Sequence, residues 1–218
     1  TTASSNTAVG HQAGYSNTTG GAQVFVGYKA GYATTTGDGS STFVGYEAGL
    51  SNTTGGNNTA LGRGSFLDNT TGSNNVGLGY DALANNTTAS NNTAVGFQAL
   101  YANTTGAENV AFGAYALDSV TTGLGNAAIG YGSGNTITTG SKNTILGAYD
   151  GNQGSLDIRT SSNYIVLSDG DGNPRAYWDN NGYMQSIGVY NNTTGSGANV
   201  HVASDGYVLR SPSSLRYK

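Results

Sequence analysis

The sequence predicts an all-β fold in which short coils of nearly equal length stack into a parallel β-solenoid, or β-roll. The chain has 218 residues, of which 36 are glycine, and each glycine inside a helix costs about 1 kcal/mol relative to alanine. A 17-residue unit repeats through residues 1–150. Each unit alternates short β-favouring segments with Gly and Asn turn residues, and it is too short for two helices or a propeller blade.

A glycine that follows an apolar residue marks every repeat. Successive anchor glycines keep a 17-residue spacing, as from Gly10 to Gly27, except for the 18-residue step from Gly27 to Gly45. We expect the extra residue to bulge from a corner at residues 38–41. The predicted nine-coil shaft covers residues 1–150. Its anchor glycines are Gly10, Gly27, Gly45, Gly62, Gly79, Gly96, Gly113, Gly130 and Gly147.

Stacking the coils about 4.8 Å apart turns each repeat position into a column along a rod of roughly 40 Å. The residue before the anchor is apolar in every coil, from Val9 to Leu146, and we expect this column to be interior. The residue three places after the anchor is Ala or Ser, small enough for a second wall to approach closely. The next position changes from Gly49 to Phe66, where we expect the cross-section to swell or repack.

The sequence Asn-Thr-Thr-Gly recurs between the β-favouring segments. We interpret it as a corner whose Gly accepts a positive φ, with Asn amides and Thr hydroxyls bonding one coil to the next. The same residues are formal N-glycosylation sequons, but their number follows from the repeat itself, so we do not expect occupied glycans. The clearest copies are 17–20, 52–55, 69–72 and 103–106.

Aromatic residues follow many of the anchor glycines, and four of them are candidate receptor-binding residues: Tyr28, Tyr46, Tyr80 and Phe97. Such a column suits either a sugar platform or a hydrophobic ladder packed against another chain, and we favour packing. One coil contributes only three or four apolar side chains, too few for a stable single-chain rod. Association of chains through the aromatic and Ala columns would solve this, and we predict a threefold fibre.

The composition of the chain argues against nucleic acid, membrane and cofactor binding. The formal net charge is −4 and there are eight Lys and Arg residues, so we expect no nucleic-acid partner. The chain contains no run of about 18 apolar residues, so we expect no membrane insertion. The chain has no cysteine, and we expect no cofactor.

The 17-residue register is lost beyond Asp150. Residues 164–168 and 175–178 read as strands, with Asp-Gly and Asn-Gly turns between them. We therefore predict an irregular β-strand and hairpin region over residues 151–212, intertwined between the chains of the fibre.

Two patterns in this region raise the question of a metal. Asp169, Asp171 and Asn173 imitate the opening of an EF-hand loop, but Pro174 replaces the required Gly and Asn180 stands where the bidentate Glu belongs. A turn is the better interpretation. His201 lies between two Val residues, and a packed side chain is favoured over a trimeric metal site. We predict no metal site.

The repeated units Asn-Thr-Ala-Val-Gly and Asn-Thr-Thr-Gly resemble the shafts of bacteriophage tail fibres and, more loosely, the head repeats of trimeric autotransporter adhesins. The resemblance implies a homotrimeric parallel β-roll that attaches to a host cell-surface glycan or protein. It also implies other tail or fibre proteins as partners and an extracellular place in the virion, with the bacterial cell surface as the alternative.

The last six residues, Ser213 to Lys218, resemble the opening of the intramolecular chaperone domain at the end of phage tail fibres and endosialidases. In that family a Ser and a Lys five residues later start a self-cleaving domain, and the chain is cut before the Ser. Ser213 and Lys218 hold that spacing. The resemblance implies a site of autoproteolytic processing by a chaperone domain that this chain lacks, so we do not expect the chain to be an enzyme.

Three functions follow as hypotheses. The first is a structural and adhesive fibre segment. The second is a fibre-borne glycan hydrolase (depolymerase), for which Glu47 and Asp81 share one column two coils apart, about 9–10 Å; a solvated face is the better interpretation. The third is ice binding, which the adjacent Thr residues of each corner disfavour because they should point to opposite faces.

Overall fold

A computed structural model describes residues 2–36, 39–186, 200–202 and 208–210. These residues contain no helix, and the predicted parallel β-solenoid is confirmed, with about nine turns. Each turn contributes one strand of three residues. The strands of the solenoid are β1 Thr7–Val9, β2 Val24–Val26, β3 Thr42–Val44, β4 Thr59–Leu61, β5 Val76–Leu78, β6 Thr93–Val95, β7 Val110–Phe112, β8 Ala127–Ile129 and β9 Thr144–Leu146.

Shorter and antiparallel elements follow the solenoid. Strand β12 pairs parallel with β9, and β12, β13 and β14 then pair antiparallel, so that one sheet of twelve strands runs in the order β1 to β9, β12, β13, β14. Two separate antiparallel pairs are β10 with β11 and β15 with β16. The bounds are β10 Asn152–Gln153, β11 Leu156–Asp157, β12 Ile165–Ser168, β13 Pro174–Trp178, β14 Met184–Ser186, β15 Val200–Val202 and β16 Val208–Arg210.

The register of the sheet follows the repeat. Every residue of β2 pairs with its equivalent in β3, and the same holds through β9, so that Val44 pairs with Leu61 and Leu61 with Leu78. Two features of the backbone, a positive φ and a close approach to the next coil, require glycine at the anchor that follows each strand. Gly79 has a φ of +146°, and a Cβ on it would lie 2.2 Å from the carbonyl oxygen of Gly96 in the next coil.

The interior of each coil differs from the prediction in one respect. The residue before the anchor, expected to be interior, faces outward in the chain, and from β2 to β9 the middle residue of the strand is buried instead. Side chains alternate along a strand, so burying the middle residue turns the first and third residues outward. The buried middle residues include Phe25, Phe43 and Ala94.

The Ala column three residues after the anchor is also buried within the chain. Ala48, Ala82 and Ala99 are fully covered and belong to the hydrophobic core. The expectation that this column joins neighbouring chains is therefore wrong. Its small side chains allow the turn that follows the anchor to close over the strand. This turn is the second wall whose close approach the sequence predicted.

The change from Gly to bulky residues along the rod compensates for a change in a facing column. Where the middle residue of the strand is large, as in β2 and β3, the residue four places after the anchor is Gly, and where the strand residue is small, as in β4 to β7, that residue is large. In the amino-terminal coils Phe25 and Phe43 fill the core, and Gly31 and Gly49 lie against their rings, where a Cβ would come within 2.3 and 2.5 Å of a ring carbon. In the coils of β4 to β7 the middle residue of the strand is Ala or Gly, and the facing position is bulky. Those facing residues are Phe66, Leu83, Leu100 and Leu117. The expected repacking is confirmed.

Asparagine amides at the Asn-Thr-Thr-Gly corner form a buried ladder. Asn69 Nδ2 donates to Asn52 Oδ1 at 2.6 Å, and Asn86 Nδ2 donates to Asn69 Oδ1 at 3.0 Å. Asn103 Nδ2 continues the ladder to Asn86 Oδ1 at 2.9 Å. Among the described residues the ladder ends there, because Val120 replaces Asn in the next coil and leaves Asn103 Oδ1 buried without a partner.

The glycine of this corner is explained by close approach rather than by its φ. Gly55 and Gly72 do not have the positive φ that the sequence suggested. A Cβ on Gly55 would instead lie 2.2 Å from the carbonyl oxygen of Gly72 in the next coil. The predicted hydroxyl bonds between coils are present, as in Thr70 Oγ1, which donates to the carbonyl oxygen of Thr87 at 3.0 Å.

A second buried Asn column immediately precedes the strands, and the sequence analysis missed it. Asn75 N and Asn92 N each donate at 2.9 Å to the side-chain oxygen of the Asn one coil earlier. The amide of Asn92 reaches across the coil to the carbonyl oxygen of Gly106 at 2.9 Å. This column therefore ties the strand to the corner. Within the predicted bulge at 38–41, Asp38 lies outside the described residues, while Gly39 and Ser40 are exposed.

Candidate interaction surface

The outward-facing side of the solenoid strands forms one continuous surface, which we call the outer sheet face. It consists of the first and third residues of β1 to β9 and of β12, because strand alternation directs both positions away from the core. None of these twenty residues carries a charge. The first residues are Thr7, Val24, Thr42, Thr59, Val76, Thr93, Val110, Ala127, Thr144 and Ile165; the third residues are Val9, Val26, Val44, Leu61, Leu78, Val95, Phe112, Ile129, Leu146 and Leu167.

The third-residue column leaves large apolar side chains in contact with solvent in the single chain. Leu61 and Leu146 are each 51% exposed, and Phe112 is 55% exposed. Isolated exposed apolar residues are normal on protein surfaces, but a contiguous row of them marks an interaction site. The outer sheet face is such a row, repeated once per coil along the rod.

The four aromatic receptor candidates lie in one stacked column beside this face. The rings of Tyr28 and Tyr46 are 5.0 Å apart and inclined by 15°, and those of Tyr80 and Phe97 are 5.1 Å apart and inclined by 11°. Each stacked ring therefore turns a face toward its neighbour along the rod. A sugar approaching from the side would meet ring edges rather than the faces on which sugars stack, so this geometry favours the packing interpretation.

Arg63 joins the two halves of the aromatic column, a role that the sequence analysis did not assign. Its guanidinium carbon lies 5.6 Å from the ring centroid of Tyr46 and 5.1 Å from that of Tyr80. Its Nη1 also donates to Tyr80 Oη at 2.5 Å. A guanidinium stacks on aromatic rings much as another ring would. The signal was its position, because Arg63 follows an anchor glycine where other coils have an aromatic residue.

The Asn-Thr-Thr-Gly corner presents a different surface. The second Thr of each described corner is exposed. From Thr53 onward the first Thr is partly buried, with its hydroxyl bonded to the next coil, as with Thr53 and Thr70. From Asn52 to Asn103, the Asn residues of the corner sequons are fully buried and bonded in their ladder. A folded coil therefore withholds these amides from glycosylation.

The two carboxylates proposed for hydrolysis are separated by one coil. Glu47 and Asp81 lie on either side of Gly64 in their column, and burial raises the pKa of Asp81 against the opposing effects of Arg63 and Gln98. A shallow cleft of about 220 Å³ lies elsewhere, near the end of the solenoid. It is lined by Tyr131, Gly132, Asn135, Ala148, Asp150, Gln153, Gly170 and Asp171.

The EF-hand-like segment is a turn stabilised by its own carboxylate. Asp169 Oδ1 accepts hydrogen bonds from the backbone N–H of Asp171 at 3.1 Å and of Asn173 at 2.9 Å. Its Oδ2 pairs with Arg175. Burial raises the pKa of Asp169, but the hydrogen bonds from Asn173 and Arg175 together outweigh this effect and hold that pKa below its usual range. Within the described part of the chain, no group of three or more His, Asp or Glu residues could hold a metal ion.

The remaining candidates belong to the carboxyl-terminal part of the chain. His201 belongs to β15, where its backbone pairs with Leu209. Ser213 and Lys218 lie outside the described residues.

Comparisons of the chain with models of protein families, with curated proteins and with solved structures found no match. In the described ranges, no helix is long and apolar enough to cross a membrane.

Proposed function

We propose that this chain is a segment of a homotrimeric tail fibre of a bacteriophage, a rigid rod that serves attachment to the host surface. Its receptor would be a host cell-surface glycan or protein, and its other partners would be further tail or fibre proteins. The chain would then belong to the extracellular part of the virion. The related alternative is a trimeric adhesin on a bacterial surface, which uses the same kind of rod.

The hydrogen bonding of the coils supports a rigid rod. Gly27 N donates to Val9 O at 2.8 Å in the preceding coil, whereas Gly31 N donates to Ala48 O at 2.9 Å in the following coil. Each coil is thus bonded to both neighbours at several points, in addition to its two Asn columns. A chain built this way spans distance with little bending, which is the mechanical task of a fibre shaft.

The exposed outer sheet face is the single observation that carries the proposal of several chains. A soluble single chain gains nothing from a row of Leu, Ile, Phe and Val side chains in water, whereas burial of such a row stabilises an assembly by about 25 cal/mol per Å². The stacked aromatic column beside it adds to the same apolar surface. An adhesive or structural assembly explains this distribution better than an enzyme does.

The proposal of processing rests on the resemblance of the last residues alone. Ser213 and Lys218 would mark the start of a self-cleaving chaperone domain, in which a Lys of depressed pKa deprotonates the Ser hydroxyl for attack on the neighbouring peptide bond. This cleavage would end fibre maturation and would leave the shaft without catalytic activity. The hydrolase alternative has less support, since Glu47 and Asp81 do not line the cleft.

Adsorption of the purified, fluorescently labelled chain to a panel of bacterial strains tests the attachment function. We expect adsorption to some strains, abolished by periodate treatment of the cells for a glycan receptor or by protease treatment for a protein receptor. Loss of surface polysaccharide from the cells during the incubation would support the hydrolase alternative instead. A folded chain that adsorbs to no strain would contradict the attachment function.

A further inference from the structure

We propose that the outer sheet face is the surface through which copies of this chain pack, side by side, parallel and in register. The inference rests on the proposed function for the existence of an assembly, and it adds which surface is buried. It also excludes the Asn-Thr-Thr-Gly corners from the contact, which leaves them outward for solvent or for a receptor.

The outer sheet face has the uncharged composition that is typical of an interface core. Its twenty outward positions hold only Val, Leu, Ile, Phe, Ala and Thr. Charged residues are depleted in interface cores because burying an unpaired charge is expensive. The corner column instead offers exposed Thr hydroxyls, such as those of Thr54 and Thr71, whose hydration favours contact with water.

The spacing of the face identifies the occupant as a copy of the same chain. Its side chains recur once per coil, at about 4.8 Å, over ten strands of one sheet, β1 to β9 and β12. Another solenoid of the same rise matches every one of these rows, whereas a globular partner would match few. Rotation about an axis parallel to the rod keeps equivalent coils at the same height, so a closed cyclic assembly of this chain is parallel and in register.

The area is sufficient for a stable contact. Ten strands and the neighbouring aromatic column give a surface of roughly 43 Å by 15 Å, about 650 Å² per chain. Covering that area on two chains buries about 1,300 Å², within the range of roughly 1,200–2,000 Å² for specific stable interfaces. A contact of this size would also cover the exposed Leu61, Phe112 and Ile129 side chains together.

Single cysteines test the assignment directly, because the chain has none of its own. Leu61→Cys places a thiol on the outer sheet face, and Thr54→Cys places one on the exposed corner of the same coil. A short bis-maleimide should convert the Leu61→Cys protein mainly to covalent dimers, with the third chain of each trimer left free. The Thr54→Cys protein should stay unlinked.

The charged variants Leu61→Glu and Thr54→Glu test the same two positions by a second measurement, the native mass of the assembly. We expect the first to reduce the native mass to that of one chain and the second to leave the mass of the assembly unchanged, with unaltered circular dichroism in both. A wild-type assembly that crosslinks at residue 54 and not at residue 61 would overturn this inference and leave the proposed fibre intact. A monomeric wild-type chain would overturn both.

Discussion

The exchange of volume inside the solenoid predicts that two destabilising substitutions will rescue each other. Phe43 is fully buried and its ring lies against Gly49, whereas the next coil has Ala60 and Phe66 at the equivalent positions. Gly49 has a φ of +61° and Phe66 a φ of +60°. The backbone at residue 49 therefore already has the conformation in which a Phe is tolerated one coil later.

The single variants should each destabilise the chain. Phe43→Ala removes a buried ring, which costs about 3–5 kcal/mol in protein cores. Gly49→Phe adds a side chain whose Cβ would lie 2.5 Å from a carbon of the Phe43 ring, and overpacking of this kind costs about 1–3 kcal/mol or more. The double variant places the new ring in the space that Phe43 vacates, so we expect it to lie within about 1–2 kcal/mol of the wild type.

Urea unfolding of the four proteins, followed by circular dichroism, gives the coupling free energy of this cycle. We expect at least about 3 kcal/mol of favourable coupling, the upper end for contacting residues. Val44→Ala paired with Gly49→Phe is the matched control, since Val44 points outward and its removal makes no room. Additive losses in the double variant Phe43→Ala/Gly49→Phe would refute the proposed exchange between the two columns.

Three further predictions concern the polar column, the aromatic column and pH. Asn86→Ala should lower the free energy of unfolding by about 2–4 kcal/mol, because it removes three buried hydrogen bonds, those of the Asn86 amide with Asn69, Asn103 and the carbonyl oxygen of Ala89; exposed Asn91→Ala, with little change in urea unfolding, is the control. Arg63→Ala should lower stability by about 1–2 kcal/mol through loss of its stacking, while Arg63→Tyr should retain it; thermal unfolding that treats the two variants alike would contradict the stacking role. Burial raises the pKa of Asp118 above its ordinary 3.8, so the folded chain binds the proton more tightly than the unfolded chain. Protonation of Asp118 should therefore favour the folded state at low pH, and this contribution to the free energy of unfolding should decline as pH rises from about 3.8 through the raised pKa. Asp118→Asn should remove that decline from a series of urea titrations at different pH values. An unchanged pH dependence in this variant would contradict the role of Asp118.

The spacing of the anchor glycines was sufficient to predict the coil length, the parallel register and the columns. It did not determine which strand residue points inward. The middle position is Ala or Gly in most coils and the third is a large apolar residue, so hydrophobicity alone favoured the third position. Phe25 and Phe43 were the available signal, because two buried rings in the middle position determine the phase of all the strands stacked upon them.

The geometry of the polar and aromatic columns depends on contacts that the sequence does not display. Asn precedes seven of the nine solenoid strands, and Gln23 and Ser41 precede the other two. Only the folded coil shows that Asn92 bonds both the preceding coil and the corner carbonyl of Gly106. Aromatic side chains at equivalent positions were predicted to align. That Tyr28 and Tyr46 stack face to face, and that Arg63 continues the stack, follows from the rise between coils rather than from residue type.

The central claim is that this rod is completed by other copies of itself, and the mass of the purified chain in solution tests it most directly. Sedimentation equilibrium or native mass spectrometry should give three times the chain mass of 22.0 kDa, independent of protein concentration over the micromolar range. A folded species with the mass of one chain at those concentrations would contradict the claim.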